Sequence, residues 1–460
     1  MSDRLFFLET QLLSGYNQLF PSDDDGLVNY NPLDLEEIEE TTNLDSGFAL
    51  FTEAESELYN APQSQNLETA SSEIEIPQLP SASEMSIEEL PPGAEDMVLS
   101  QSITVGDANR TRITINYAEG TSNEVVHALR RAAESWTSRL NDNAHLTIDF
   151  TFMASEEGNL GSAVSNETPI SYEIMRAALA IDANSDADFT AVANLPEEEI
   201  SLLINNTSEN DGSDTPYLDD NGGSNNSTLS VNTAVAKALG LDTIARELGF
   251  NEEDIAEFFG TADADINLNS EQPWDFNPDD GIDSSKFDFV GVFAHEIGHA
   301  LGILSNADIL DNVANLTLAD VVGDVIPEDI ADELSGTLLG LFAGALNIDQ
   351  FISENQYSLK TWDLFRYSPE SFAAGAIDFT TGNIDEKYFS IDGGDTAVAA
   401  LSSGSFTGDG FQLSHWQDTS LSGVEIGIME PTFSPGELGQ ITDTDLLALE
   451  VIGWDTVAYS

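Results

Sequence analysis

Apolar positions recur at two distinct periods along this chain. RITINY (112–117) alternates polar and apolar residues and predicts a strand. In the next stretch Val126, Leu129, Ala133, Trp136 and Leu140 recur at helical spacing, which predicts an amphipathic helix. HLTIDFTFM (145–153) alternates again, with Leu146, Ile148, Phe150 and Phe152 on one face. Strand, helix and strand in so short a span predict a βαβ unit with parallel neighbours. Turn-rich sequence follows, with short helices such as SYEIMRAALAI and NTAVAKALGL. ADINLNSEQPW (264–274) carries a short alternation at Ile266 and Leu268 and reads as an exposed edge strand. From Val290 to Leu304 the stripe Val290, Phe293, Ala294, Ile297, Leu301 and Leu304 predicts a helix facing a core. The run from Asp308 to Leu346 reads as two or three helices broken at Gly and Pro. Its most apolar part, Leu338 to Leu346, is too short to cross a bilayer and reads as a buried helix. No internal repeat is visible.

The first hundred residues differ in kind. They hold 22 acids and one base, Arg4, amid recurrent Pro, Ser, Glu and Gln. Such a composition buries too little apolar surface to offset chain entropy, so 1–103 reads as a mobile acidic leader, or as a pro-segment masking a site. Order is expected from about Thr104, and 104–460 forms one large domain. Across the whole chain Lys+Arg number 13 against Asp+Glu 84, a net charge of −71. That field repels nucleic acid and anionic membranes and suits a saline or extracellular setting. With no cysteine, disulfides, thiolate ligands and thiol nucleophiles are excluded. The first twenty residues lack the basic start, apolar stretch and cleavage site of a signal peptide, so export to the medium or cell surface would use another route. DANSDAD (182–188) starts with calcium-loop spacing but lacks the sixth-position Gly and the twelfth-position Glu, so it reads as a loop, with calcium as the lesser reading.

The chemistry gathers in HEIGHALGILS (295–305). His295 and His299 lie one helical turn apart, off the apolar stripe, where both imidazoles can reach one ion. Glu296, next to the first of the pair, can hold a metal-bound water without itself ligating. Gly302, one turn on, suits a helix end in a left-handed conformation. A third ligand is needed, and the eleventh position holds Ser305, a poor zinc donor. His415 and Asp308 are the candidates; His127, inside the first helix, and His145, at the start of a strand, read as structural. Met429 lies fourteen residues beyond His415, amid Gly and Pro.

The order HEIGHALG, long insertion, SHW, GIMEP resembles the leishmanolysin-type branch of the metzincin zinc peptidases. Together with DLFRYS (363–368) and DLLALEVIGWD (445–455), it is also similar to a bacterial family of metzincin-like metalloproteases. The resemblance covers about 104–460, is strongest at 287–304 and 409–455, and departs from the compact motif at Ser305. It implies an α+β fold: an N-terminal twisted mixed sheet with two long helices, then a less regular C-terminal subdomain with a mainly helical insertion at about 303–414. It implies zinc on His295, His299 and His415, with Met429 in a turn beneath the metal and Glu296 as general base. Three neutral imidazoles make an open catalytic zinc site, which favours His415 over Asp308. The implied activity is endopeptidase, with a peptide or protein substrate laid along the strand near Ile266 to Asn269. Tyr367 or Tyr388 would be available to stabilise an oxyanion, and the insertion would wall or cover the cleft. The competing expectations are an inactive zinc-bearing binding module and an acidic calcium-dependent surface protein. Oligomeric state is left open.

Overall fold

The computed structural model describes residues 47–52, 93, 97–155, 158–315, 353–382 and 386–458. The chain is mixed α and β, as expected. Its main sheet has seven strands: β1 (Gly47–Thr52), β2 (Leu99–Gly106), β3 (Arg112–Ala118), β4 (His145–Met153), β5 (Asn159–Ser165), β6 (Ala264–Asn269) and β7 (Thr432–Phe433). Their order is β7-β1-β5-β6-β4-β3-β2. The βαβ expectation holds: β3 and β4 pair in parallel, Arg112 opposite His145, joined through helix α1 (Asn123–Thr137). Ser122 opens α1 by accepting from Val125 N at 3.3 Å.

Helix α2 (Phe289–Ala300) carries the two-histidine motif. It packs on β5 and β6, while α1 packs on β2 and β3, and the two helices pack on each other. Phe150 of β4 meets Phe293 of α2 edge-on at 5.3 Å between centroids. Burying Phe293 stabilises by about 2–3 kcal/mol. Trp136, fully buried, donates from Nε1 to Ala294 O at 2.7 Å and ties α1 to the turn just before His295. Asp288 caps α2 by accepting from Val290 N at 3.0 Å, a contact worth about 1 kcal/mol. The helix closes at Gly302, whose φ of +114° leads the chain away; a Cβ there would press on Val235.

Three expectations change. The stretch at Ala264–Asn269 is not an edge: β6 pairs with β4 on one side and β5 on the other. Its polar positions face partners rather than water. Asn267 Oδ1 accepts from Thr151 Oγ1 at 3.0 Å and from Met153 N at 3.1 Å. Period-2 alternation reports two chemically different faces and says nothing of which edges are paired. The second change concerns the leader, since β1 and the start of β2 at Leu99 lie before residue 104 and belong to the sheet. Third, among the described residues the insertion is not mainly helical. It holds helix α3 (Ala307–Asn315), a short helix at Pro369–Ala374, 3-10 turns at Glu354–Gln356 and Trp362–Phe365, and two-to-three-residue strands at Arg366–Tyr367, Ile377–Phe379, Tyr388–Phe389 and Ala399–Ala400, with irregular chain between them. Most of the apolar run between Asp308 and Leu346, including the buried helix expected at Leu338 to Leu346, lies outside the described residues. No described helix is long and apolar enough to cross a membrane. Near the end of the chain, helix α4 (Asp443–Val451) packs behind the site.

Candidate metal centre

His295, His299 and His415 come together as a buried group, none with measurable exposure. The Nε2 atoms of His295 and His299 are 3.0 Å apart, and each lies 3.2 Å from His415 Nε2. The outer nitrogens all face carbonyls: His295 Nδ1 lies 2.7 Å from Ile428 O, His299 Nδ1 2.8 Å from Ile303 O and His415 Nδ1 3.3 Å from Gln412 O. A carbonyl only accepts, so each Nδ1 carries the proton and each Nε2 presents a bare lone pair to the other two. Burial drives the His295 pKa down to about 4 and holds those of His299 and His415 well below the usual value, helped by their mutual proximity. Three neutral imidazoles aimed at one point repel each other unless a cation lies between them. Tetrahedral ligation with Zn–N of about 2.05 Å sets neighbouring nitrogens about 3.3 Å apart. The observed spacings are within a few tenths of an ångström of that, so these residues fit a bound metal ion.

Asp308 is not directed at this point. Its buried carboxylate accepts from Leu413 N at 2.6 Å, Ser414 N at 3.2 Å and Ser414 Oγ at 2.6 Å. It thus braces the two residues before His415. Burial raises its pKa to about 7, against the opposing pull of those hydrogen bonds. Ser305, at the motif's eleventh position, donates its N–H to Ser414 Oγ at 2.8 Å, so it too holds the loop bearing the displaced histidine.

Met429 lies under the helix: a Cβ at Gly298, between the two helical histidines, would overlap its Sδ. It is fully buried, and its carbonyl accepts from Trp416 N at 3.0 Å. Glu296 is fully buried too. Its Oε1 would lie 2.6 Å from a Cβ on Gly161 of β5, so only a glycine there leaves room for this carboxylate.

Several supports carry no motif of their own. Asp445 accepts from Trp416 Nε1 at 2.8 Å and from Ile428 N at 2.9 Å, joining the residue after His415 to the residue before Met429. Arg366, fully buried, donates to Ser402 O at 3.0 Å and reaches Leu413 O at 3.5 Å. Trp454 Nε1 donates to Leu301 O at 2.8 Å and secures the end of α2. Asp445 and Trp454 fall in the segment DLLALEVIGWD, and Arg366 in DLFRYS. A buried polar group needs a partner, and these find theirs in backbone groups and, for Asp445, also in the Trp416 indole.

The other candidates stand elsewhere. His127 is exposed, and exposed His145 bonds Thr114 Oγ1 through Nε2 at 2.8 Å. Tyr388 donates to Gly394 O at 2.8 Å, and Tyr367 packs against the same glycine. In DANSDAD, Asp188 accepts from Asn184 N, Ser185 N and Ser185 Oγ at 2.9–3.1 Å, spending its carboxylate on a helix cap.

No protein-family model matches the chain, and no curated protein or solved structure matches it significantly.

Proposed function

We propose that this protein is a zinc-dependent endopeptidase of metzincin type. The observation that carries the proposal is the convergence of three bare imidazole nitrogens within 3.2 Å of one another, two of them on a helix where Glu296 follows His295 and the third on a distant loop. Zinc is favoured because the donors are three neutral imidazoles with no thiolate or carboxylate among them, a set typical of open catalytic zinc sites. When bound, the ion supplies Lewis acidity, acidifying a water and polarising a substrate carbonyl. The chain supplies the rest. Glu296 is the general base: its carboxylate takes a proton from the attacking water and hands it to the departing amine. The Nδ1–carbonyl bonds of the three histidines keep each ring from rotating, and Met429 fills the space beneath them.

The test is a zinc assay beside a quenched-peptide assay, on wild type and Glu296→Ala, with and without chelator. Wild type should hold one zinc per chain and lose peptide turnover on chelation. The Glu296→Ala protein should keep its zinc and lose turnover. Zinc binding without turnover in the wild type would make this a metal-bearing binding module instead.

A further inference from the structure

Strand β1 lies between two segments that both reach the metal centre. On one side it runs antiparallel to β5, with Gly47 opposite Val164 and Leu50 opposite Gly161. Gly161 is the residue whose bare Cα makes room for the Glu296 carboxylate. On the other side β1 runs parallel to β7, with Phe51 opposite Thr432 and Thr52 opposite Phe433. Thr432 follows Met429 by three residues.

The register breaks where the chain passes from one wall to the other. Leu50 pairs with Gly161, but Phe51 pairs with Asn159, and the pairing with β7 starts at Phe51. The interruption therefore falls at the Leu50–Phe51 peptide, beside the residue that touches the general base. Without β1, the outer edge of β5 and the short β7 would present unpaired backbone groups. An extended peptide satisfies such edges by adding a strand. The segment that does so here, GFALFT, is free of charge and is flanked by Asp45 and Glu53 in an otherwise acidic leader. Uncharged, β-prone sequence of this kind is what a sheet edge accepts.

We infer that Gly47–Thr52 occupies the substrate groove, antiparallel to β5 and parallel to β7, and that Leu50–Phe51 is the first peptide bond this protein cuts. The inference rests on the peptidase reading above and names its first substrate as an uncharged, extended segment of the leader. In the cut, the water oxygen joins the Leu50 carbonyl carbon. The C–N bond breaks with its electron pair remaining on nitrogen. The water's protons end on the new Phe51 amine, leaving a Leu50 carboxylate and a Phe51 ammonium. Until that happens the leader closes the groove to other peptides. Because the strand is tethered to the same chain, the cut is first order in protein.

The experiment uses full-length wild type and full-length Glu296→Ala, each incubated with zinc and followed by intact mass and N-terminal sequencing. The expected result is a wild-type product beginning at Phe51, formed at a rate independent of protein concentration, and an uncut Glu296→Ala chain. Amide hydrogen exchange then tests docking without any turnover. In Glu296→Ala, alternate amides of Leu160–Ser165 should be protected, and adding Phe48→Pro together with Ala49→Pro, one of which removes a ladder donor because donors alternate along an antiparallel strand, should speed their exchange by at least about tenfold. A wild type that hydrolyses a quenched peptide while its own chain stays intact, or is cut elsewhere, overturns the assigned bond and leaves the peptidase reading standing. Exchange unchanged by the two prolines at 48 and 49 overturns the docked strand. An intact chain with no turnover of any peptide removes the peptidase reading and the cut together, and the exchange measurement then decides the docking by itself.

Discussion

Replacing Asp308 by alanine separates a ligand from a brace. The Asp308 carboxylate is 4% exposed and accepts three hydrogen bonds, two from backbone N–H groups of Leu413 and Ser414 and one from Ser414 Oγ. Alanine leaves two buried backbone donors without acceptors, at about 1–3 kcal/mol each. The serine hydroxyl can rotate toward Ser305 O, 3.4 Å away, so its loss is smaller. A net destabilisation of about 2–4 kcal/mol follows, which lowers Tm by about 3–5 °C in a folded region of this size. Zinc binding should also weaken, because the loop presenting His415 is less fixed. Losing such an outer partner costs about 10–100-fold in affinity. His415→Ala removes a donor nitrogen outright and should cost more than that. Competition with a chromophoric chelator measures both affinities, and thermal unfolding in excess zinc measures the stability term. If Asp308→Ala abolished binding while His415→Ala bound as tightly as wild type, the carboxylate would be the ligand. Unchanged affinity and Tm in Asp308→Ala would refute the brace.

Gly161→Val should keep zinc but lose peptide turnover by about 100-fold or more, since its Cβ would lie 2.6 Å from Glu296 Oε1 and shift the base; zinc content and kcat on one preparation check this. Met429→Ala should leave zinc stoichiometry at one per chain and cost about 2–4 kcal/mol in a urea titration, the cavity term for a fully buried methionine. Burial, reinforced by neighbouring acids including Asp455, raises Asp142 to about 8 and Asp182 to about 7 from an ordinary 3.8. The folded state therefore holds these protons more tightly than the unfolded chain, so their contribution is full below about pH 4 and is lost as pH rises through 7 to 8. Asp182→Asn should accordingly raise Tm relative to wild type at pH 8 and leave it little changed at pH 4; the opposite ordering would show the sign to be wrong. Exhaustive chelation should leave the far-UV circular dichroism near its zinc-bound value.

The helix of the site was readable because two periods coincide in it: an apolar stripe that faces the core and a histidine pair one turn apart. Those are local properties of a dozen residues. The βαβ unit was readable for the same reason. His415 could be proposed from donor chemistry, but its approach depends on Asp308, Arg366 and Asp445, whose partners are for the most part backbone groups of distant loops. Backbone groups are the same in every residue, so a carboxylate that binds them leaves no pattern to find. Strand β6 was misplaced because its asparagines look solvent-facing and instead hydrogen-bond across to Thr151, Met153 and Asn159. Strand β1 was hidden in a different way. The composition of the first hundred residues is an average, and six uncharged positions do not alter it. Gly161 could be recognised only from outside its own strand, by the carboxylate that needs its space.

The position of His415 also says how the site is held before any metal arrives. His415 lies 116 residues beyond His299, and closing a loop of that length costs about 4 kcal/mol in chain entropy. In a small zinc module the ion itself offsets that cost, and the metal-free chain unfolds. Here the closure is shared among contacts that do not involve the imidazole nitrogens. Asp308 holds Leu413 and Ser414, Asp445 holds Trp416 and Ile428, and Trp454 holds the end of α2. At about 1 kcal/mol for each hydrogen bond, the five that Leu413, Ser414, Trp416 and Ile428 donate to these two carboxyl groups are sufficient to close the loop. The imidazole lone pairs are then brought together by the fold against their mutual repulsion. A bound cation would relieve that repulsion, so its binding free energy would go into metal affinity rather than into folding. This is why the fold should survive chelation while peptide turnover does not.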